Sequence, residues 1–150
     1  MAGIEVDIET RRAVEYLVRE LPRFQQDKAI REGLGDAAKV FEAYGRANYA
    51  SSTIVSRTGE TARSFATRVS VSRKQGGASY AVAGLKYPDG YKAHWLDLGT
   101  KPRYTEDNKY RGYLLPTYFF SRAKDEGKAE AMDAIVDGIQ RAVARLNNRG

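Results

Sequence analysis

The chain has 150 residues, a formal charge of +6 and no cysteine. That length predicts one domain over 1–150 with a core that needs no covalent staple, and the missing thiols exclude disulfides and thiolate metal sites. No apolar run reaches membrane-spanning length, and the opening Met1-Ala2-Gly3-Ile4-Glu5-Val6-Asp7 is not a secretory leader, so a soluble protein with no membrane contact is expected.

Ile4, Val6 and Ile8 alternate with acids and predict a short strand or an extended lead-in. Asp7 is placed to cap a helix. Val14, Leu17, Val18 and Leu21 then recur at helical spacing, opposite Arg11, Arg12, Glu15, Arg19 and Glu20. Pro22 either opens a second helix or kinks one long helix. The stripe resumes through Ile30, Leu34, Ala37, Ala38, Phe41 and Tyr44, and Gly33 and Gly35 weaken that helix near its middle. Residues 49–57 are rich in Ser and Thr and read as a loop, and Thr58-Gly59-Glu60-Thr61 starts a short helical turn.

The period then drops to two. Phe65, Thr67, Val69 and Val71 share one face, and Ala66, Arg68, Ser70 and Ser72 the other. Arg73-Lys74-Gln75-Gly76-Gly77 predicts a hairpin turn into a second strand through Tyr80, Val82 and Gly84. Tyr87-Pro88-Asp89-Gly90 is a turn signal, and a third strand is expected over about 91–98. After a polar insert at 101–113, Met132, Ile135, Val136, Ile139, Val143 and Leu146 form a clear helical stripe. The order of these runs predicts an α+β fold: N-terminal helices, an antiparallel meander of three to four strands, and a long C-terminal helix packed on the sheet. In that arrangement Met132, Ile135, Val136, Ile139 and Val143 cover a sheet face carrying Leu96, Leu98, Val69 and Val71. Trp95 and Asp97 then point to the opposite face, with Trp95 exposed beside Tyr91.

Little in the chain suggests catalysis. His94 is the single histidine, and on a strand Asp97 would lie on the face opposite it, so the pair reads as structural. Asp89, Asp97, Glu106 and Asp107 have no spacing diagnostic of a metal-dependent nuclease. Gly33, Gly35, Gly76 and Gly77 lack the strand–glycine–helix context of a phosphate loop. The insert is more informative. Lys101, Pro102, Arg103, Tyr104, Lys109, Tyr110, Arg111 and Tyr113 interleave base with aromatic. That pattern suits an assembly loop, since Tyr and Arg dominate protein interfaces, or a single-stranded nucleic-acid contact. The other bases are scattered among acids and read as solvated faces.

Ala93-His94-Trp95-Leu96-Asp97-Leu98-Gly99-Thr100 resembles the Ala-His-aromatic-aliphatic-acid-apolar-Gly-Thr motif of the tail-completion proteins of long-tailed bacteriophages, also called head–tail joining or minor tail protein Z-like proteins. Thr58-Gly59-Glu60-Thr61-Ala62-Arg63-Ser64-Phe65 resembles the family's Thr-Gly-x-Leu-x-x-Ser-aliphatic segment, with Thr61 in place of leucine. The family's Pro-Phe-Leu-x-Pro-Ala element is looser here, as Leu115-Pro116-Thr117-Tyr118-Phe119-Phe120-Ser121-Arg122-Ala123, and the 101–113 insert is long for the family.

The resemblance implies a structural virion protein of siphophage type, not an enzyme, with no cofactor and no metal. It implies a homo-oligomeric ring, typically a hexamer, at the neck or top of the tail, assembled in the host cytoplasm. Its partners would be a connector or stopper protein and the tail tube or tail terminator protein. Double-stranded DNA would pass through the lumen and meet basic side chains without being read. Arg68, Lys92, Lys101 and Arg103, on or beside the expected strands, are the channel candidates. The alternative is a small basic nucleic-acid-binding protein that uses the same insert.

Overall fold

The computed structural model describes residues 6–54, 58–72, 74 and 78–149. Ile4 and the turn glycines Gly76 and Gly77 lie outside the described residues, as do Arg73, Gln75 and 55–57. Asp7 does cap the first helix, α1 (Ile8–Val18): its carboxylate accepts the Thr10 N–H at 2.7 Å. That bond holds the Asp7 carboxyl below its ordinary pKa, because it favours the charged form. Ile8 is the first helical residue, so the Ile4–Ile8 alternation does not continue as a strand past Val6.

Pro22 separates two helices instead of kinking one. It stands as N-cap of α2 (Arg23–Ala50), and its carbonyl accepts the N–H groups of Gln25 and Gln26. With 28 residues α2 is about 42 Å long, and the rest of the chain is arranged along it. α6 (Lys128–Asn147) runs antiparallel to it. The register is marked by Tyr44 donating to Glu130 at 2.9 Å, by Arg141 paired with Asp36, and by Arg145 paired with Glu32.

The glycines of α2 have a packing role that helix propensity hides. A Cβ on Gly33 would stand 2.6 Å from the Ile135 carbonyl oxygen and 2.7 Å from Ile139 Cγ1. Facing it, a Cβ on Gly138 would stand 2.9 Å from Gly33 Cα. The two backbones therefore approach closely at this crossing, between buried Ala29 and Ala37 on α2 and Ala131, Ile135, Ile139 and Ala142 on α6.

After a single helical turn, α3 (Glu60–Arg63), come β1 (Phe65–Ser70) and β2 (Tyr80–Leu85). They pair antiparallel with Phe65 opposite Leu85 and Ser70 opposite Tyr80. The period-two reading of the first strand holds: Val69 faces Gly35 and Phe65 faces Gly45, both on α2, while Arg68 is exposed.

Two expectations fail. First, the sheet among the described residues has two strands, not three or four. Residues 89–98 form a 3₁₀ turn (Asp89–Lys92) and α4 (Ala93–Leu98). The inward side of α4 carries Ala93, half-buried Leu96 and the carboxylate of Asp97, so a polar residue interrupts the apolar stripe that would have revealed the helix. Second, the C-terminal helix packs on α2 and α1, not on the sheet. Met132, Ile135 and Ile139 are buried as expected, but against α2, while Val136 and Val143 are half-buried and Leu98 is 61% exposed. The reason is α2 itself. Its Ala/Gly stripe receives α6 while another flank carries the sheet.

Two apolar clusters result. One, with Val18, Ala29, Ile135 and Ile139, lies between α1, α2 and α6. The other joins Tyr49 at the C-terminal end of α2 to Phe65, Leu85, Ala93, Phe119 and Phe120. The last two residues open α5 (Phe119–Glu126).

Candidate assembly site

α4 is fixed to α5 by one carboxylate. α5 starts after Tyr118, which has φ 53° and makes no side-chain cap bond. Asp97 supplies the cap from 23 residues upstream: Oδ1 accepts the N–H groups of Phe120 at 2.9 Å and Ser121 at 3.2 Å, and Oδ2 accepts the Ser121 hydroxyl at 2.6 Å. A buried anion is well placed there, against the positive end of the helix dipole. Asn48 of α2 ties down the same turn by donating to the Phe119 carbonyl at 3.2 Å.

Gly99 ends α4 with φ 76°. A Cβ here would also meet the Leu114 carbonyl oxygen at 2.6 Å and the Pro116 nitrogen at 2.9 Å, so both conformation and space require glycine. Thr100 closes the bracket, though not with a near neighbour. Its N–H donates to the Leu114 carbonyl at 2.9 Å, and its hydroxyl oxygen accepts the Leu114 N–H at 2.9 Å. Thr117 then donates its hydroxyl to the Leu96 carbonyl at 2.6 Å, and the Tyr118 N–H donates to the Asp97 carbonyl at 2.9 Å. The chain thus leaves and re-enters the body at one clamped point.

Between the clamped ends, 101–113 doubles back on itself as a hairpin-like arm held by one β-bridge. Arg111 N–H donates to the Arg103 carbonyl at 2.7 Å, and Arg103 N–H to the Gly112 carbonyl at 3.0 Å. Tyr104 and Tyr110 form a β-bridge with ring centroids 5.6 Å apart. At the tip, Thr105 N–H donates to the Lys109 carbonyl and Asn108 takes φ 57°. The sequence shows no strand period here because an arm with no buried face has no need to alternate. Lys101, Pro102, Arg103, Tyr104, Lys109, Tyr110, Arg111 and Tyr113 are all exposed.

The root of the arm is rich in exposed apolar surface. Leu98, Leu115 and Tyr118 are 61%, 67% and 47% exposed. Nearby on the chain, Trp95 is 40% exposed and meets Tyr91 edge-to-face at 5.6 Å. The expected Trp95–Tyr91 pair is therefore present, but along a helical path and not on a strand. Exposed apolar residues concentrated in one segment mark an interaction surface more often than scattered ones do.

The remaining candidates are dispersed. His94 is exposed beside the Trp95 ring at 5.2 Å. The expectation that it lies opposite Asp97 across a strand is corrected: on α4 the two are about 60° apart around the axis, and Asp97 is turned inward by its bonds to α5. Arg68 is exposed on β1, and Lys101 and Arg103 are at the base of the arm. Lys92 ends the 3₁₀ turn, half-buried, with its ammonium 5.6 Å from the Tyr91 ring centroid, so it does not sit on a strand. Thr58 and Gly59 serve the turn into β1. The Thr58 carbonyl accepts from the Arg63 guanidinium at 2.9 Å, and Gly59 takes φ 68°. Of the acids, Glu106 and Asp107 are exposed at the arm tip, and the Asp89 side chain lies outside the described residues.

No family model, no curated protein and no solved structure matches the chain. Sequence reasoning missed the capping role of Asp97. The available signal was the start of α5 at Tyr118-Phe119-Phe120, which offers no capping residue of its own, with a motif acid upstream left unassigned.

Proposed function

We propose that this protein is a structural virion component that forms a ring at the head–tail junction of a long-tailed phage, joining the portal connector or stopper to the tail tube or terminator. The observation that carries the reading is the clamped, exposed arm. The motif residues Asp97, Gly99 and Thr100 hold the root of an exposed hairpin-like element instead of shaping a cleft. A ring of identical subunits closes by contacts between two different faces of each subunit. An arm rooted at the C-terminal end of α2 is suited to supply one of those faces. A positive subunit repeated around the lumen attracts DNA phosphates independently of sequence, with Arg68, Lys92, Lys101 and Arg103 as the candidate channel bases.

The test is sedimentation velocity and negative-stain electron microscopy of the purified chain and of a variant lacking 104–111. The wild type should form closed rings, and the deletion variant should be a folded monomer. The alternation of Arg103 and Arg111 with Tyr104 and Tyr110 on an exposed element favours a second reading, a small nucleic-acid-binding protein. A wild type that stays monomeric and shifts single-stranded DNA with steep salt dependence would replace the ring by that reading.

A further inference from the structure

The arm has a charge pattern of its own. Its stem carries bases, but its tip is Thr105-Glu106-Asp107-Asn108, with both acids exposed. At the other end of α2 from the root of the arm lies a concave site of opposite sign. The N-terminal part of α2 and the last turns of α6 flank an open concavity of about 190 Å³ lined by Lys28, Glu32, Ala142, Arg145, Leu146 and Arg149. Glu32 and Arg145 pair with each other across it, so three cations against one anion leave a charge of +2, carried by Lys28 and Arg149, which are exposed. The turn from Thr105 to Lys109 carries two exposed acids against one exposed base, Lys109, so the tip is negative where the cavity is positive.

The two features lie at opposite ends of α2. The root of the arm is fixed beside Asn48, through the Asn48–Phe119 bond, while the cavity begins at Lys28. About 20 residues of helix, roughly 30 Å, separate the two. The arm has about six residues on each side and reaches roughly 20 Å, short of that separation, so a contact between its tip and the cavity is a contact between copies, head to tail, as a closed ring requires.

We infer that the acidic tip of the arm of one subunit docks into the Lys28–Arg149 cavity of a second copy of this chain. The inference rests on the oligomeric reading proposed above and names its contact. Two carboxylates enter a site with two exposed cations, and the apolar stems of Lys28 and Arg149, with Leu146 and Ala142, pack against the tip backbone. The contact is electrostatic and weakens as salt shortens the screening length to about 8 Å at physiological strength.

The experiment reverses charge on each side and uses sedimentation velocity, with circular dichroism to verify folding. All four side chains are exposed, so the substitutions leave the core untouched. Glu106→Lys with Asp107→Lys, and separately Lys28→Glu with Arg149→Glu, should each weaken self-association at least tenfold. Mixed in equal amounts, the two variants should assemble again in alternation, because the intact arm of one fits the intact cavity of the other and the reversed arm fits the reversed cavity. The chain carrying all four substitutions should assemble again. Wild-type assembly with both reversed variants assembling equally well overturns the docking and leaves the ring reading standing. A mixture that remains monomeric, or a four-fold variant that does not recover, also overturns it. A wild type that is monomeric at every concentration overturns the ring reading itself, and the docking with it.

Discussion

Gly33→Ala should destabilise the protein, although replacing glycine by alanine in a helix interior ordinarily stabilises it. The propensity gain is about 1 kcal/mol. Against it stands the contact with α6: the new methyl would lie 2.6 Å from a backbone oxygen, which cannot swing aside, and 2.7 Å from Ile139, which is fully buried. Overpacking of this kind costs about 1–3 kcal/mol, and the immobile neighbour places the site in the upper part of that range. The expected net loss is about 1–2 kcal/mol, roughly 2–8 °C in melting temperature for a chain of this length. Gly35→Ala is the internal control. It sits two residues away on the same helix, and its methyl would meet only Val69 Cγ2 at 3.7 Å. It should gain up to about 1 kcal/mol. Urea denaturation of both variants reads the two signs directly. A Gly33→Ala protein as stable as the wild type would refute the close crossing of α2 and α6.

Asp97→Ala strands the N–H groups of Phe120 and Ser121 in a buried turn and should cost about 2–3 kcal/mol, whereas Asp97→Asn keeps an acceptor at that position and should lose much less; equal losses in urea melts would contradict the capping role. Tyr49→Phe should leave stability unchanged or slightly raised, because the buried Tyr49 hydroxyl has no hydrogen-bond partner among the described residues, and a clear loss in thermal melts would show that it has one. The Asp7 carboxyl should titrate by NMR below its ordinary 3.8. Since its folded value is lowered, the stability it contributes is present above the unfolded pKa and is lost as pH falls through the folded one. A midpoint at or above 3.8 contradicts the cap.

The sequence was legible where one physical pattern ran uninterrupted. β1 turns Phe65 and Val69 toward α2 and leaves Arg68 exposed, and the stripe of α6 from Met132 to Ile139 marks its buried face. It was misleading where an inward position is polar or empty. Asp97 on the inner side of α4 broke the helical stripe, so the segment read as a strand. Gly33 read as a helix weakness, and Gly138 drew no notice, because a glycine that admits a neighbouring backbone looks no different in one dimension from one that merely lacks a side chain. The partner of α6 was misassigned for the same reason: the surface that receives it is Ala29, Gly33 and Ala37, too small to stand out as hydrophobic. At the candidate assembly site, the sequence marked the insert as interleaving basic and aromatic residues, but pairing across the arm and the clamp from Thr100 to Leu114 depend on contacts up to 14 residues apart, which local periodicity does not report.

The thermodynamics of the arm argue for its role. Ordering a residue costs about 1–2 kcal/mol in backbone entropy, and within a subunit that cost is met mainly by burial. Residues 101–113 bury little, so their order contributes little to the stability of the body. Yet their root is unusually well defined: Gly99 fits without room for a methyl, Thr100 holds Leu114 through two bonds, and Asp97 locks the helix into which the chain returns. A structure fixed in advance of contact lowers the entropy that association must remove. On the proposed ring reading, the clamp therefore acts on assembly more than on folding. Substitutions at Gly99 or Thr100 are expected to impair association even though neither side chain needs to touch a partner, because they loosen the direction in which the arm is presented.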